Sequence, residues 1–305
     1  MTSPQSAVLP DNSRHASFVT LTLKAGQDAA NKLRAVAARV PALSDEIAAL
    51  DTAAELLSAI AFSAEVWATL GLATRPAHLR GFPAMSGHGH DAPATAADAL
   101  LYVRSARPDL NFMLTQAVLA ELDGAVTVVE HIDGFRYLDS RDITGFVDGT
   151  ENPEGDERAE VALVGDEDPD FAGGSYLHLM RFVHDMNKWN RQSVHHQEQV
   201  IGRTKTDDQE LDDDIRPETA HISRVVIEED GEELEVLRQS MPYGDTTRAG
   251  LMFAAFGRRP DNFERMLERM YRGELNGTYD HLLDFTRAET GNAFFVPARG
   301  FLERL

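Results

Sequence analysis

The sequence predicts an α+β protein, and three observations carry the prediction. Stretches of alternating or continuous apolar residues interchange with stretches whose apolar positions recur at helical spacing. In the first half the order is strand, helix, strand, then strand, helix, strand, which is the order of the ferredoxin-like unit. After a glycine-rich loop near the midpoint, the second half runs through a like order without visible sequence repetition. A chain of 305 residues accommodates two domains of about 150 residues each. The expected division is 1–140 and 141–305, each half a ferredoxin-like domain with an antiparallel sheet, and a site between them.

In the first half, Ala16 to Leu23 combines Phe18 with the β-branched Val19 and Thr20 and predicts a strand. Ala29, Leu33, Val36, Ala37 and Val40 lie on one helical face, with Pro41 as the expected stop. Leu56 to Phe62 is a continuous apolar run that suits a buried strand or a helix. Glu65 to Gly71 reads as a short helix closed by glycine. Thr74 to Pro93, rich in Gly, Pro and His, reads as a long loop. His88 and His90 within it are candidate metal ligands, although solvated loop histidines are the plainer reading. Leu100 to Arg104 predicts a strand, Asn111 to Leu122 a helix, and Ala125 to His131 a further strand.

In the second half, Ser175 to Val183 predicts a strand and Asp185 to Val200 one helix with Asp185 as N-cap. The acidic run between Asp207 and Asp214 reads as a solvated loop rather than a metal site. Two apolar arms, His221 to Ile227 and Leu234 to Arg238, flank Glu229-Asp230-Gly231-Glu232 and predict a hairpin. Facing residues would then sum to about 461. That register brings His221 beside Ser240 at the open end, with Arg238 one step in. Gly250 to Phe256 predicts a strand, Asp261 to Tyr271 a helix, and Ala293 to Val296 a last strand.

Composition narrows the function. A formal net charge of −21 argues against nucleic acid and anionic membranes as partners. The absence of cysteine removes disulfides, zinc–thiolate sites, iron–sulfur clusters, thiolate-ligated haem and Cys-linked haem. Met1 to His15 lacks the apolar segment of a signal peptide, and no apolar run is long enough to span a bilayer, so a cytoplasmic location is expected.

The densest chemistry lies in Gly145-Phe146-Val147-Asp148-Gly149-Thr150-Glu151-Asn152-Pro153. Two glycines and an Asn-Pro pair exclude a helix or central strand and present Asp148 from a tight loop. With His221, Arg238 and Ser240 gathered elsewhere, the residues alone admit a Ser/His/Asp hydrolase or a metal site. No G-x-S-x-G elbow supports the hydrolase.

The same loop resembles the signature of the DyP-type (dye-decolorizing) haem peroxidases. The resemblance extends back through Tyr137 to Thr144 and forward through Val200 to Lys205, His221 and Arg238 to Gly244. It ends in Thr290-Gly291 and Phe294 to Pro297. It covers nearly the whole chain and is nearest to the compact bacterial class B members. It implies a dimeric or larger ferredoxin-like assembly with noncovalent haem b held mainly by the second half. His221 corresponds to the iron ligand, with Asp280 as its carboxylate partner and Asp284 as the competitor. Asp148 and Arg238 correspond to the catalytic pair, with Ser240 where several relatives carry Asn. Arg203 is a candidate propionate contact or an outer salt bridge. Gly149, Thr150, Leu251, Phe253 and Phe256 are expected to help wall the cofactor. The implied reaction reduces hydrogen peroxide through an oxoferryl (compound I) intermediate and oxidises dye-like or other organic one-electron donors. The alternative is a haem-handling protein with incidental peroxidase turnover. Tyr102, Tyr137, Trp67, Trp189 and Tyr243 are candidate electron relays.

Overall fold

The computed structural model describes residues 3–11, 13–229, 231–273 and 277–305. The first half comprises β1 (His15–Leu23), α1 (Gln27–Ala48), β2 (Leu57–Phe62), α2 (Ala64–Thr69), β3 (Met85–Gly87), β4 (His90–Ala92), β5 (Ala99–Ser105), α3 (Pro108–Glu121) and β6 (Val126–Phe135). Its sheet runs β2-β5-β1-β6 with antiparallel neighbours. Helices α1 and α3 cover one face, where Leu33, Val36 and Leu114 meet Val19, Ile60 and Leu101.

Two expectations for this half change. Helix α1 does not stop at Pro41 but runs to Ala48, and Pro41, Ser44 and Ile47 are buried along the same face. Continued burial of that stripe outweighs a missing hydrogen bond and ring clash of about 3 kcal/mol. The long loop also contains a hairpin, with β3 and β4 joined by His88 and Gly89 at φ 53° and 84°. Two successive positive φ angles are those of the tight I′ turn. The ambiguous run ending at Phe62 is a strand.

The second half comprises α4 (Glu157–Ala162), β7 (Ser175–His184), α5 (Met186–Trp189), α6 (Val194–Ile201), α7 (His221–Val225), β8 (Glu228–Glu229), β9 (Glu232–Glu233), β10 (Leu237–Arg238), β11 (Met241–Gly244), β12 (Ala249–Gly257), α8 (Asp261–Tyr271), β13 (Thr286–Val296) and α9 (Arg299–Leu302). Its sheet runs β10-β12-β7-β13, with β11 continuing the line of β10 along β12. Counting strands within each half, both sheets read second, third, first, fourth. This tandem of ferredoxin-like topologies is the α+β architecture predicted from element order.

The predicted helix over Asp185 to Val200 is two helices. Asp185 does cap the first, accepting from the Lys188 amide at 2.9 Å. Ser193 caps the second, accepting from the His196 amide at 3.2 Å. The predicted hairpin shrinks to Glu228↔Glu233 and Glu229↔Glu232. Those pairs keep the expected register, but they set like charges directly opposite, which opposes extension of the ladder. Asp230, the expected turn residue, lies outside the described residues. His221 to Val225 is the helix α7 instead of a hairpin arm, so His221 and Ser240 are not facing neighbours.

The two sheets join through a single pair, Phe295↔Phe62, and the combined sheet curls until β11 lies against β6. A Cβ on Gly134 would stand 2.9 Å from that of Met241. Phe18, Tyr102, Leu177, Met252, Phe256 and Phe294 fill the interior. Strand β12 therefore has two apolar faces. Leu251 and Phe253 face outward with α8, whereas Phe256, three residues beyond Phe253, points inward. Strand periodicity thus removes Phe256 from the expected cofactor wall.

Candidate active site

A deep cavity lies on the outward face of the second sheet, beneath α7 and α8. Counting the open space at its mouth, it holds about 1470 Å³. Every lining residue falls between Asp142 and Thr286. The cavity therefore belongs to the second half and does not lie between the halves as expected. Met180, Phe182, Leu251, Phe253 and Leu267 give it apolar walls, and His221, Asp148, Arg238, Arg203, Gly149 and Thr150 reach it as well.

His221 opens α7. The β-branched residues after it favour a strand, but packing overrides that preference. Arg269 on α8 donates to the carbonyls of Val226 and Ser223 at 2.8 and 3.0 Å, closing the end of α7. Gly202, at φ 96°, admits Ile222, whose methyl would stand 2.2 Å from an added Cβ. His221 Nδ1 lies 2.6 Å from Asp280 Oδ2. Asp280 is fully buried, and its other oxygen accepts from the Leu282 amide at 2.9 Å. In this pairing Nδ1–H donates to the carboxylate, which leaves Nε2 with a lone pair. Asp284, the competing carboxylate, instead meets Tyr279 and His90.

The Asp148 loop is held at both ends. Arg141 donates to the carbonyls of Gly145 and Lys205 at 2.8 and 2.7 Å. The Asp148 amide donates to Ser140 at 2.9 Å. Asn152 clamps the loop to β10, donating to the Arg238 carbonyl at 2.7 Å and accepting from its amide at 2.9 Å. Burial pushes the Asp148 carboxyl above its usual value, Arg238 opposes that shift, and Asp142 adds to it. Its remaining accessibility opens onto the cavities it lines.

Asp148 also lines a second cavity of about 280 Å³, open space again included, formed with Ser13, Arg136, Tyr137 and Ser240 where the halves meet. Ser240 belongs to this space, and its hydroxyl accepts from the Ala254 amide at 3.3 Å. Arg203 reaches the main cavity while donating to Glu151 at 2.7 Å and to the Asp208 carboxylate at 2.9 Å. Thr150 donates to Asp208 at 2.5 Å.

The structure adds a half-buried pair that sequence reasoning missed. His184 Nε2 lies 3.2 Å from Asp142, and its Nδ1 lies 2.8 Å from the Thr286 hydroxyl. Burial works to raise the Asp142 carboxyl, but His184 and Thr144 hold it below its usual value. The signal for His184 was its outward parity with Met180 and Phe182 on β7.

An apolar cavity with one oriented imidazole, one carboxylate and one guanidinium suits a flat cofactor and acid–base chemistry. Family models match both halves of the chain. The model described as Dyp-type peroxidase, N-terminal matches residues 5–136, and the C-terminal model matches residues 139–301. The chain belongs to the Dyp-type peroxidase family.

This peroxidase is 38% identical to the dye-decolorizing peroxidase of Mycobacterium tuberculosis, over 99% of this chain and 90% of that one. It is 41% identical to DypB from Rhodococcus jostii RHA1, with TM-score 0.95, covering 98% of this chain and 97% of DypB. Variants of DypB have been solved in complex with haem. The encapsulated DyP-type peroxidase from Mycobacterium smegmatis is 40% identical, with TM-score 0.95 and coverage of 99% and 98%. No described helix of this chain is long and apolar enough to cross a membrane.

Proposed function

We propose that this Dyp-type peroxidase binds haem b noncovalently in the main cavity and reduces hydrogen peroxide at the expense of organic one-electron donors. The observation that carries the reading is His221, its Nδ1 fixed by buried Asp280 and its Nε2 left as a neutral donor for iron. The apolar walls fit a porphyrin, and a chain without cysteine has no thiol for covalent attachment.

When bound, haem supplies the iron that takes peroxide and holds both oxidising equivalents, the compound I chemistry. The protein supplies the rest. Asp148, desolvated and backed by Asp142, accepts the proton of the incoming peroxide and returns it to the departing oxygen. Arg238 stabilises the negative charge that develops as the O–O bond breaks. Asn152 is a positioning residue that holds both in one frame. Arg203 and Thr150 stand where a carboxylate of the cofactor would compete with Glu151 and Asp208 for their donors. We further read 1–140 and 141–305 as the two domains, working as a homodimer or larger assembly.

Stopped-flow absorbance of the haem-loaded protein with one equivalent of peroxide tests this. A Soret band that shifts within the mixing experiment is expected. Asp148→Ala and Arg238→Ala should keep the band and lose the shift. A purified protein with no Soret band after expression with ample haem would refute the assignment.

A further inference from the structure

Donors larger than the cavity must deliver electrons at the surface. The chain has six tyrosines and two tryptophans. Trp67, Trp189, Tyr102, Tyr176, Tyr243 and Tyr271 are all buried. Tyr137 and Tyr279 are half-buried. Tyr137 lines the small cavity beside Asp148. Tyr279 lies in a different setting, built from the two loop histidines that the sequence singled out.

The tight turn between β3 and β4 presents His88, whose ring stacks on Tyr279 with centroids 4.6 Å apart and planes 13° apart. His90 and His281 flank the same phenol ring at 5.6 and 4.9 Å. The phenol oxygen donates towards both oxygens of Asp284, at 3.3 and 3.4 Å. His90 Nε2 lies 3.3 Å from that carboxylate. The next residue in the chain is Asp280, whose carboxylate holds His221 Nδ1 at 2.6 Å. One peptide unit and one hydrogen bond therefore connect Tyr279 to the proposed iron ligand. Among the half-buried tyrosines of the described residues, Tyr279 alone has that connection.

We propose that Tyr279 is a surface oxidation site for planar aromatic donors, neutral or cationic, with Asp284 as its proton acceptor. This rests on the haem peroxidase reading. The phenol O–H breaks, its proton bonds to an Asp284 oxygen, and its electron passes through Asp280 and His221 to the centre that peroxide has oxidised. A donor resting on the stack at exposed His88 then returns one electron, and Asp284 returns the proton. Two such cycles supply two electrons, which together with two protons taken up from solvent reduce one peroxide to two waters.

The geometry suits each part. Burial and the Asp284 charge push the Tyr279 phenol above its usual value, so it is a neutral phenol that must lose its proton with the electron. The carboxylate is in reach of that proton. Stacked imidazole and phenol form a flat platform for a π-donor, and the strong negative charge of the chain favours donors without negative charge.

The test uses the haem-loaded full chain, with Tyr279→Phe and Asp284→Asn beside wild type. Each is mixed with one equivalent of peroxide and a nitroso spin trap, without donor, and the adduct is located by peptide mass spectrometry. The expected adduct in wild type lies on Tyr279 and is lost in Tyr279→Phe, and freeze-quench electron paramagnetic resonance loses its tyrosyl signal. Oxidation of a bulky cationic dye should fall at least about tenfold, while the spectral response to peroxide is unchanged. Asp284→Asn should keep the ring stack and lower both the radical yield and the dye rate. An adduct on Tyr137, or dye oxidation undiminished in Tyr279→Phe, overturns the proposal. A wild type whose spectrum ignores peroxide refutes the peroxidase reading, and this one with it.

Discussion

Asp280→Asn is the substitution that most sharply tests how the cavity holds its cofactor. The wild-type carboxylate has two jobs. Oδ2 accepts a hydrogen bond from His221 Nδ1 at 2.6 Å, and Oδ1 accepts one from the Leu282 amide at 2.9 Å. An asparagine has one acceptor and one donor, and neither orientation satisfies both partners. With its oxygen towards Leu282, the amide donates to Nδ1, drives the imidazole proton to Nε2 and removes the lone pair that iron needs. With its oxygen towards His221, two N–H groups oppose each other in a fully buried pocket. The lost bond is charge-assisted, worth about 1.5–3 kcal/mol. That range agrees with the roughly 10–100-fold loss typical when the partner of a metal-binding histidine is removed. We expect haem affinity of the apoprotein, titrated by Soret absorbance, to fall by about that factor. Thermal unfolding of the apoprotein should show that the fold survives. An Asp280→Asn protein that binds haem as tightly as wild type, with the same ligation spectrum, would refute the role given to this pair.

Three further outcomes follow from the same geometry. Asp148→Asn should retain haem and slow the reaction with peroxide by about 10²–10⁴-fold. In wild type the rate should climb with pH through a value above the ordinary carboxylate range, because Asp148 accepts a proton only when ionised and burial raises its carboxyl; stopped-flow rates across pH check both. Gly202→Ala should cost roughly 2–4 kcal/mol in denaturant unfolding and weaken haem binding, since its Cβ would meet Ile222 at 2.2 Å beneath α7. Asp142 is held below its usual value, so its contribution to stability is present above the unfolded carboxylate value of about 3.9 and is lost as pH falls through the lower folded one. Asp142→Asn should therefore flatten the acid limb of apoprotein unfolding followed by circular dichroism.

What the sequence could disclose depended on whether local chemistry or distant packing decided the outcome. Asp148 was legible because Gly145 and Gly149, at φ 91° and 95°, and the Asn-Pro pair leave the backbone few choices. Helix α8 matched its predicted bounds because its apolar stripe is strongly periodic. His221 was found through the resemblance, but its setting was misread. Ile222, Val225 and Val226 carry strand propensity, and only Arg269 and the space opened by Gly202, both distant in sequence, make the segment helical. Phe256 was misplaced because β12 is apolar on both faces, and such a strand does not tell which parity faces the cavity.

The loop histidines illustrate the same division from the other side. His88 and His90 at i, i+2 spacing allowed a metal site but read more plainly as solvated loop residues; His88 is exposed, yet both rings pack against a partner. Their partner is Tyr279, almost two hundred residues later, in a segment with no periodicity to betray it. The hairpin turn that sets His88 over the phenol and the short path from Asp280 to His221 arise on separate strands and loops. Only the folded chain, with the β3–β4 hairpin of the first half packed against the second, brings them together. A site of this kind is specified by topology: single-residue motifs supply the chemical groups, and the sheet order β10-β12-β7-β13, with the loops packed against it, supplies their juxtaposition.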